Sequence, residues 1–122
     1  MAGKKEQSKS NKITKKEVEE YDLLRPLLES LLEEVKELSK KKQDGLLNIL
    51  KVKMINKLLI RIKELLKKEA TSEFIDLLDE ETMPTNSDAL FILVQFQSAL
   101  QQYYSKYYIY ELGKGNFWNT SD

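Results

Sequence analysis

Three observations predict an all-α domain. Apolar residues recur three and four positions apart through two long leucine-rich stretches, residues 17–39 and 45–69. A third stretch, Ser87–Leu112, carries no charge between Asp88 and Lys106 in a chain whose residues are 33% charged, so most of its surface must be withdrawn from water. Capping and stopping residues stand near the ends of these stretches. The architecture they imply is four-helix-bundle-like: an antiparallel helical hairpin, a short third helix and a long central C-terminal helix. One domain would cover residues 15–112, with a flexible basic tail at 1–14 and a C-terminal tail at 113–122.

Residues 1–16 hold six lysines, one glutamate and only Ile13 as a large apolar side chain, too little to offset the entropy of ordering. Thr14 followed by Glu17 has capping-box spacing and starts the first helix. From Tyr21 onward Leu23, Leu24, Leu27, Leu28, Leu31, Leu32, Val35 and Leu38 form a wide apolar face, which carries the helix to about Ser39. Pro26 removes one helical hydrogen bond, so either a kinked continuous helix or a break with Asp22 as a second cap is expected. Asp22, Glu29, Glu33 and Glu37 form an acidic outer stripe.

Lysines 40–42 suit the negative end of that helix, and Gln43-Asp44-Gly45 makes a turn in which Asp44 can cap the next helix. The second helix, Gly45 to about Glu69, buries Leu47, Met54, Ile55, Leu58, Leu59, Ile62, Leu65 and Leu66. Its outer face carries Lys53, Lys57, Arg61 and Lys68. Lys51 lies near the middle of the apolar arc and must reach past the core edge or find a carboxylate; Asn48 also lies within the arc. The short connection makes the two helices antiparallel.

Thr71 or Ser72 caps a third helix, SEFIDLLDEE, with Phe74, Ile75, Leu77 and Leu78 inward. Its C-terminal acids, Asp79, Glu80 and Glu81, oppose the helix dipole and call for a basic neighbour. Pro84 keeps Met83 out of helix, and Asn86 or Ser87 caps the fourth helix, which Gly113 ends.

In the fourth helix Ala89, Ile92, Leu93, Phe96, Ala99, Leu100, Tyr103, Tyr104, Tyr107 and Tyr110 fall in one arc of roughly 140°. The opposite side mixes Gln95, Ser98, Gln101, Gln102 and Ser105 with Phe91, Val94 and Ile109. Such an uncharged face suits either a cover from the same chain or a protein partner. Phe117 and Trp118 lie outside any periodic element, and either fold back or anchor a partner. Interface candidates are therefore Phe91, Val94, Gln95, Gln102, Tyr103, Tyr107, Tyr108, Phe117 and Trp118. Four glutamines in the apolar run argue against a membrane span.

Charge is segregated: residues 17–38 sum to −6 and 39–69 to +7, within a chain of zero net charge. These blocks can pair within one molecule or between copies. The chain has no cysteine and no histidine, so it has no disulfides, no Ser-His-Asp or Cys-His catalysis and no His or Cys metal site. Gly113-Lys114-Gly115 lacks the other elements of a P-loop. Asn119-Thr120-Ser121 matches a glycosylation acceptor, but no apolar signal segment precedes it, which makes a cytoplasmic location the expectation.

Carboxylates remain as catalytic groups. Glu33, Glu34 and Glu37 form E-E-x-x-E, and Glu73 with Asp76 forms E-x-x-D, spacings that can bring acids to one Mg²⁺. The pair of motifs resembles that of the all-α MazG-type nucleotide pyrophosphohydrolases. That resemblance implies Mg²⁺-dependent cleavage of nucleoside triphosphates, with those five residues as metal ligands or base. A nucleic-acid reading rests instead on Lys51, Lys53, Lys57, Arg61 and Lys68 as anion contacts, the lysine tail and the tyrosines as stacking groups. The leading reading needs no cofactor: a non-enzymatic interaction module, self-associating or a small subunit of a larger complex, binding through the fourth helix.

Overall fold

The computed structural model describes residues 11–122, so most of the expected basic tail lies outside the described residues. Helix α1 spans Lys15–Lys41, α2 Ile49–Leu65 and α3 Asn86–Tyr107; a 3₁₀ turn covers Ala70–Phe74, and strands β1 (Tyr108–Glu111) and β2 (Gly115–Trp118) close the chain. The fold is mostly helical, as expected, but it carries a small antiparallel β-hairpin. Among the described residues no helix is long and apolar enough to cross a membrane.

Helix α1 starts at the expected capping box: the Glu17 amide donates to Thr14 Oγ1 at 3.1 Å, and the Thr14 amide donates to Glu17 Oε1 at 3.0 Å. It runs unbroken through Pro26. The proline is exposed, which leaves water free to serve the Asp22 carbonyl that loses its partner. Tyr21, Leu24, Leu28, Leu32 and Val35 are buried, whereas Leu23 and Leu27 are exposed.

The turn after α1 is tied to the start of α3. Asn86, buried at the first turn of α3, donates through Nδ2 to the Lys42 carbonyl at 2.9 Å, and its amide donates to the Gly45 carbonyl at 2.8 Å. A Cβ on Gly45 would lie 3.0 Å from Asn86 Nδ2, so glycine permits this approach. Thr85, one residue before the expected caps, accepts from the Asp88 amide and caps α3. Asn48, rather than Asp44, caps α2 by accepting from the Lys51 amide at 2.9 Å. This explains a polar residue within the apolar arc.

Helix α2 buries Val52, Ile55, Asn56, Leu59, Ile62 and Leu65, but Met54 is exposed rather than inward. It stops four residues before the expected end because Glu69 is drawn to α3: its carboxylate accepts from Tyr107 Oη at 2.7 Å and from Lys106 Nζ at 3.2 Å.

The expected third helix is replaced by the 3₁₀ turn and an extended segment. Asn56 holds the extended backbone in place at Leu78. Its side-chain amide accepts from the Leu78 amide at 2.9 Å and donates to the Leu78 carbonyl at 2.8 Å. Both backbone groups of Leu78 are thereby taken, as in a β-ladder, and neither is left for a helical bond. Ile75 and Leu78 are buried, while Phe74 faces outward, contrary to expectation. The terminal acids consequently meet no helix dipole.

Helix α3 is the core helix, burying Ala89, Leu93, Phe96, Ala99, Leu100, Tyr103 and Tyr107. It ends at Tyr107, not Leu112. Tyr108-Ile109-Tyr110, aromatic and β-branched, continues as strand instead and pairs in the register Tyr108↔Trp118 and Glu111↔Gly115. The turn is closed by Lys114 N–H donating to the Glu111 carbonyl at 3.0 Å, with Gly113 at φ +91°, a value a β-carbon disfavours.

Residues 113–122 are therefore not a tail. Neither are residues 11–14. Ile13 bridges Thr120 in parallel: its amide donates to the Asn119 carbonyl at 3.1 Å, and the Ser121 amide donates to the Ile13 carbonyl at 2.8 Å. Asn119 Nδ2 donates to the Asn11 carbonyl, so the amide of the glycosylation-like triplet is already bonded.

Candidate functional site

The expected interface on the fourth helix divides in two. Tyr103 and Tyr107 are only 2% and 4% exposed, and both belong to the core. Burial raises the pKa of each phenol, Tyr103 furthest; the bond to Glu69 raises Tyr107 further. Phe91, Val94 and Gln102 are exposed and Gln95 is half-buried. Phe91 and Gln95 share a shallow cleft with Phe74, Asp76, Asp88 and Ile92.

Trp118 folds back. Its ring meets Tyr21, Tyr104 and Tyr108 edge-on, with centroids 5.1–5.5 Å away. Arg25 caps this cluster, 5.7 Å from the Tyr21 ring and 5.5 Å from the Tyr104 ring, and donates to Tyr21 Oη at 2.7 Å. Burial raises the Tyr21 pKa, and Arg25 opposes that rise. Phe117 is half-buried with Lys114 Nζ 5.8 Å over its ring. These contacts are intramolecular packing of the kind that satisfies aromatic quadrupoles.

A second surface was not among the sequence candidates. On the outer side of the α1–α2 hairpin Leu23 and Leu27 are each 49% exposed, Leu50 66% and Met54 63%. Two ion pairs join the helices and locate these side chains. Arg61 holds Glu20 through both Nε and Nη2, at 2.6–3.0 Å, and Lys51 Nζ lies 3.8 Å from Glu34 Oε1. In an antiparallel pair these two links fix the register, and Leu23, Leu27 and Met54 fall between them, with Leu50 one residue beyond the second. The result is an apolar seam along two parallel-lying helix surfaces. The sequence signal was the width of the apolar stripe: α1 has more leucines than one buried face can hold.

The anion-binding candidates are scattered by the same pairs. Arg61 and Lys51 are engaged with acids of α1, and Lys68 lies beyond the end of α2. Lys53 and Lys57 are exposed and form no salt bridge among the described residues. Lys51, expected either to reach past the core edge or to find a carboxylate, extends outward beside Glu34.

The five acids of the two carboxylate motifs do not converge. Glu33, Glu34 and Glu37 lie exposed on α1, Glu34 and Glu37 facing Lys51 and Lys40, while Glu73 lies in the 3₁₀ turn and Asp76 in the extended segment. Among the described residues no group of three or more acids is arranged to hold a metal ion. A polar cleft with a volume near 460 Å³ is lined by Glu69, Thr71, Gln101, Gln102, Tyr103 and Lys106. Tyr103 Oη and Thr71 Oγ1 have no hydrogen-bond partner among the described residues.

Comparison of the chain with protein-family models, with curated proteins and with solved structures finds no match.

Proposed function

We propose that this chain is a non-enzymatic helical interaction module that binds a protein partner through the outer face of the α1–α2 hairpin. One observation carries this reading: four large apolar side chains, Leu23, Leu27, Leu50 and Met54, stand open along two adjacent helices. Removing such side chains from water on docking would contribute about 25 cal/mol per Å² of apolar surface. The uncharged side of α3 exposes Phe91 and Val94, with Phe74 beside Phe91, on one helix and a turn rather than along a helix pair, and Tyr103 and Tyr107 serve the core instead. Glu20 and Glu34 lie against the basic side chains of α2 and weaken the case for a phosphate-binding groove. The dispersal of the five carboxylates weakens the hydrolase reading in the same way.

The face is tested with Leu27→Lys and Met54→Glu, both at exposed positions and both to good helix formers. Partner protein that co-purifies with the wild-type chain is isolated and titrated back against wild type, the double variant and Phe91→Glu. Affinity should fall at least tenfold for the double variant and hold for Phe91→Glu. The opposite order would move the site to α3. Hydrolysis of nucleoside triphosphates with Mg²⁺ by the purified chain, lost in Glu34→Gln, would overturn the non-enzymatic reading.

A further inference from the structure

We infer that the occupant of the hairpin face is a second copy of this chain, with α1 of each protomer lying on α2 of the other across a two-fold axis parallel to the helices. The inference rests on the reading of that face as a docking surface and adds the partner and its orientation.

The apolar seam has edges of opposite charge. Successive residues of a helix are about 100° apart, so Glu33 and Glu37 project from the α1 edge remote from α2, and Lys53 and Lys57 from the α2 edge remote from α1. All four are exposed. The edges belong to helices of opposite net charge, −2 over α1 and +4 over α2.

A two-fold interface must be self-complementary. Two hairpins laid face to face can be related by an axis in the interface plane that runs either along the helices or across them. An axis across them sets α1 on α1 and α2 on α2, acid against acid and lysine against lysine. An axis along them sets α1 on α2 at both edges, so that each acidic edge meets a basic one and the leucines close on Met54 and Leu50. Charge complementarity selects the second arrangement, the layout of an antiparallel four-helix bundle.

The size of the face predicts the strength. Helix α2 is about 25 Å long and two helices are about 20 Å wide, so the pair of faces covers roughly 1,000 Å², the lower end of specific interfaces. A weak, concentration-dependent dimer is expected, with charge setting orientation more than affinity.

The test is sedimentation equilibrium of the whole chain over roughly 1 µM to 1 mM, with the same two substitutions. In the selected arrangement Leu27→Lys meets Lys57 and Met54→Glu meets Glu33, so each should weaken dimerisation at least tenfold while the helical circular dichroism stays unchanged. The chain has no cysteine, so single cysteines report orientation. Ser30→Cys chains mixed with Lys53→Cys chains should form the mixed product with a short bis-maleimide in preference to either homodimeric product. A monomer at every concentration overturns self-pairing and leaves the face to a foreign partner. A dimer indifferent to both substitutions overturns the face itself. Preferential linkage of Ser30→Cys to its own copy overturns the orientation.

Discussion

Asn56 carries an amide into the core and bonds both backbone groups of Leu78 and the Glu80 carboxylate, whereas Tyr103 carries in a hydroxyl that finds no partner among the described residues. Their substitutions should therefore shift stability in opposite directions. Asn56→Ala strands a buried N–H and C=O, and should cost about 2–4 kcal/mol in urea unfolding, since each unmet group costs about 1–3 kcal/mol. Tyr103→Phe removes an unpaired hydroxyl and should leave stability unchanged or raise it by up to about 1 kcal/mol. The same tyrosine predicts a pH dependence. Tyr21, Tyr103 and Tyr107 all have phenols raised by burial, so the folded state holds protons that the unfolded chain gives up near pH 10. Their contribution is complete below about pH 10 and is lost as the pH climbs toward the raised folded values. Denaturation followed upward from neutral pH should show a steep loss above about pH 10 that is shallower in Tyr103→Phe.

At the scale of elements, Pro26 and Gly113 give contrasting expectations. Proline inside a helix forfeits a hydrogen bond, and Pro26 is exposed in a continuous α1, so Pro26→Ala should raise the thermal midpoint and stabilise by about 1–3 kcal/mol. Gly113→Ala forces a β-carbon onto φ +91° and should cost about 1 kcal/mol. The three long helices, the Thr14 capping box and the burial of α3 were legible because periodicity and capping are local signals spread over many residues. Two elements were not. The SEFIDLL segment reads as helix by its own spacing, and the distant Asn56 amide holds Leu78 in extended backbone. Tyr108–Tyr110 continue the apolar arc of α3, and it is pairing with residues 115–118 that makes them a strand. The site was misplaced for a related reason. Tyr103 and Leu27 are both apolar members of a helix stripe, and which of them the core covers depends on the position of the third helix. The excess of leucines on α1 was visible, but one helix cannot say which of its leucines are left over.

Across the whole molecule, charge organises surfaces and the core holds the fold. The Glu20–Arg61 pair has short contacts but is largely exposed on the arginine side, so Glu20→Gln should cost less than about 1 kcal/mol, measured at low salt where the effect is greatest. The pairing of residues 11–15 with 119–122 has a different character. It joins positions more than a hundred residues apart in sequence. The packing of α1 on α3 already closes that long loop, so the seam adds only the few terminal residues on either side and rests on a handful of hydrogen bonds. This seam should thus be the last part of the molecule to zip and the first to open, exposing Ile13 and the edge of β2 while the helices stay intact. Native-state hydrogen exchange should accordingly find the Ile13 and Ser121 amides released well before those of Leu93 or Phe96. Joining Asn11 to Asp122 by a short linker, in a chain begun at Asn11, would restrain that early opening without adding a single contact, making a topological constraint do what more burial would otherwise have to.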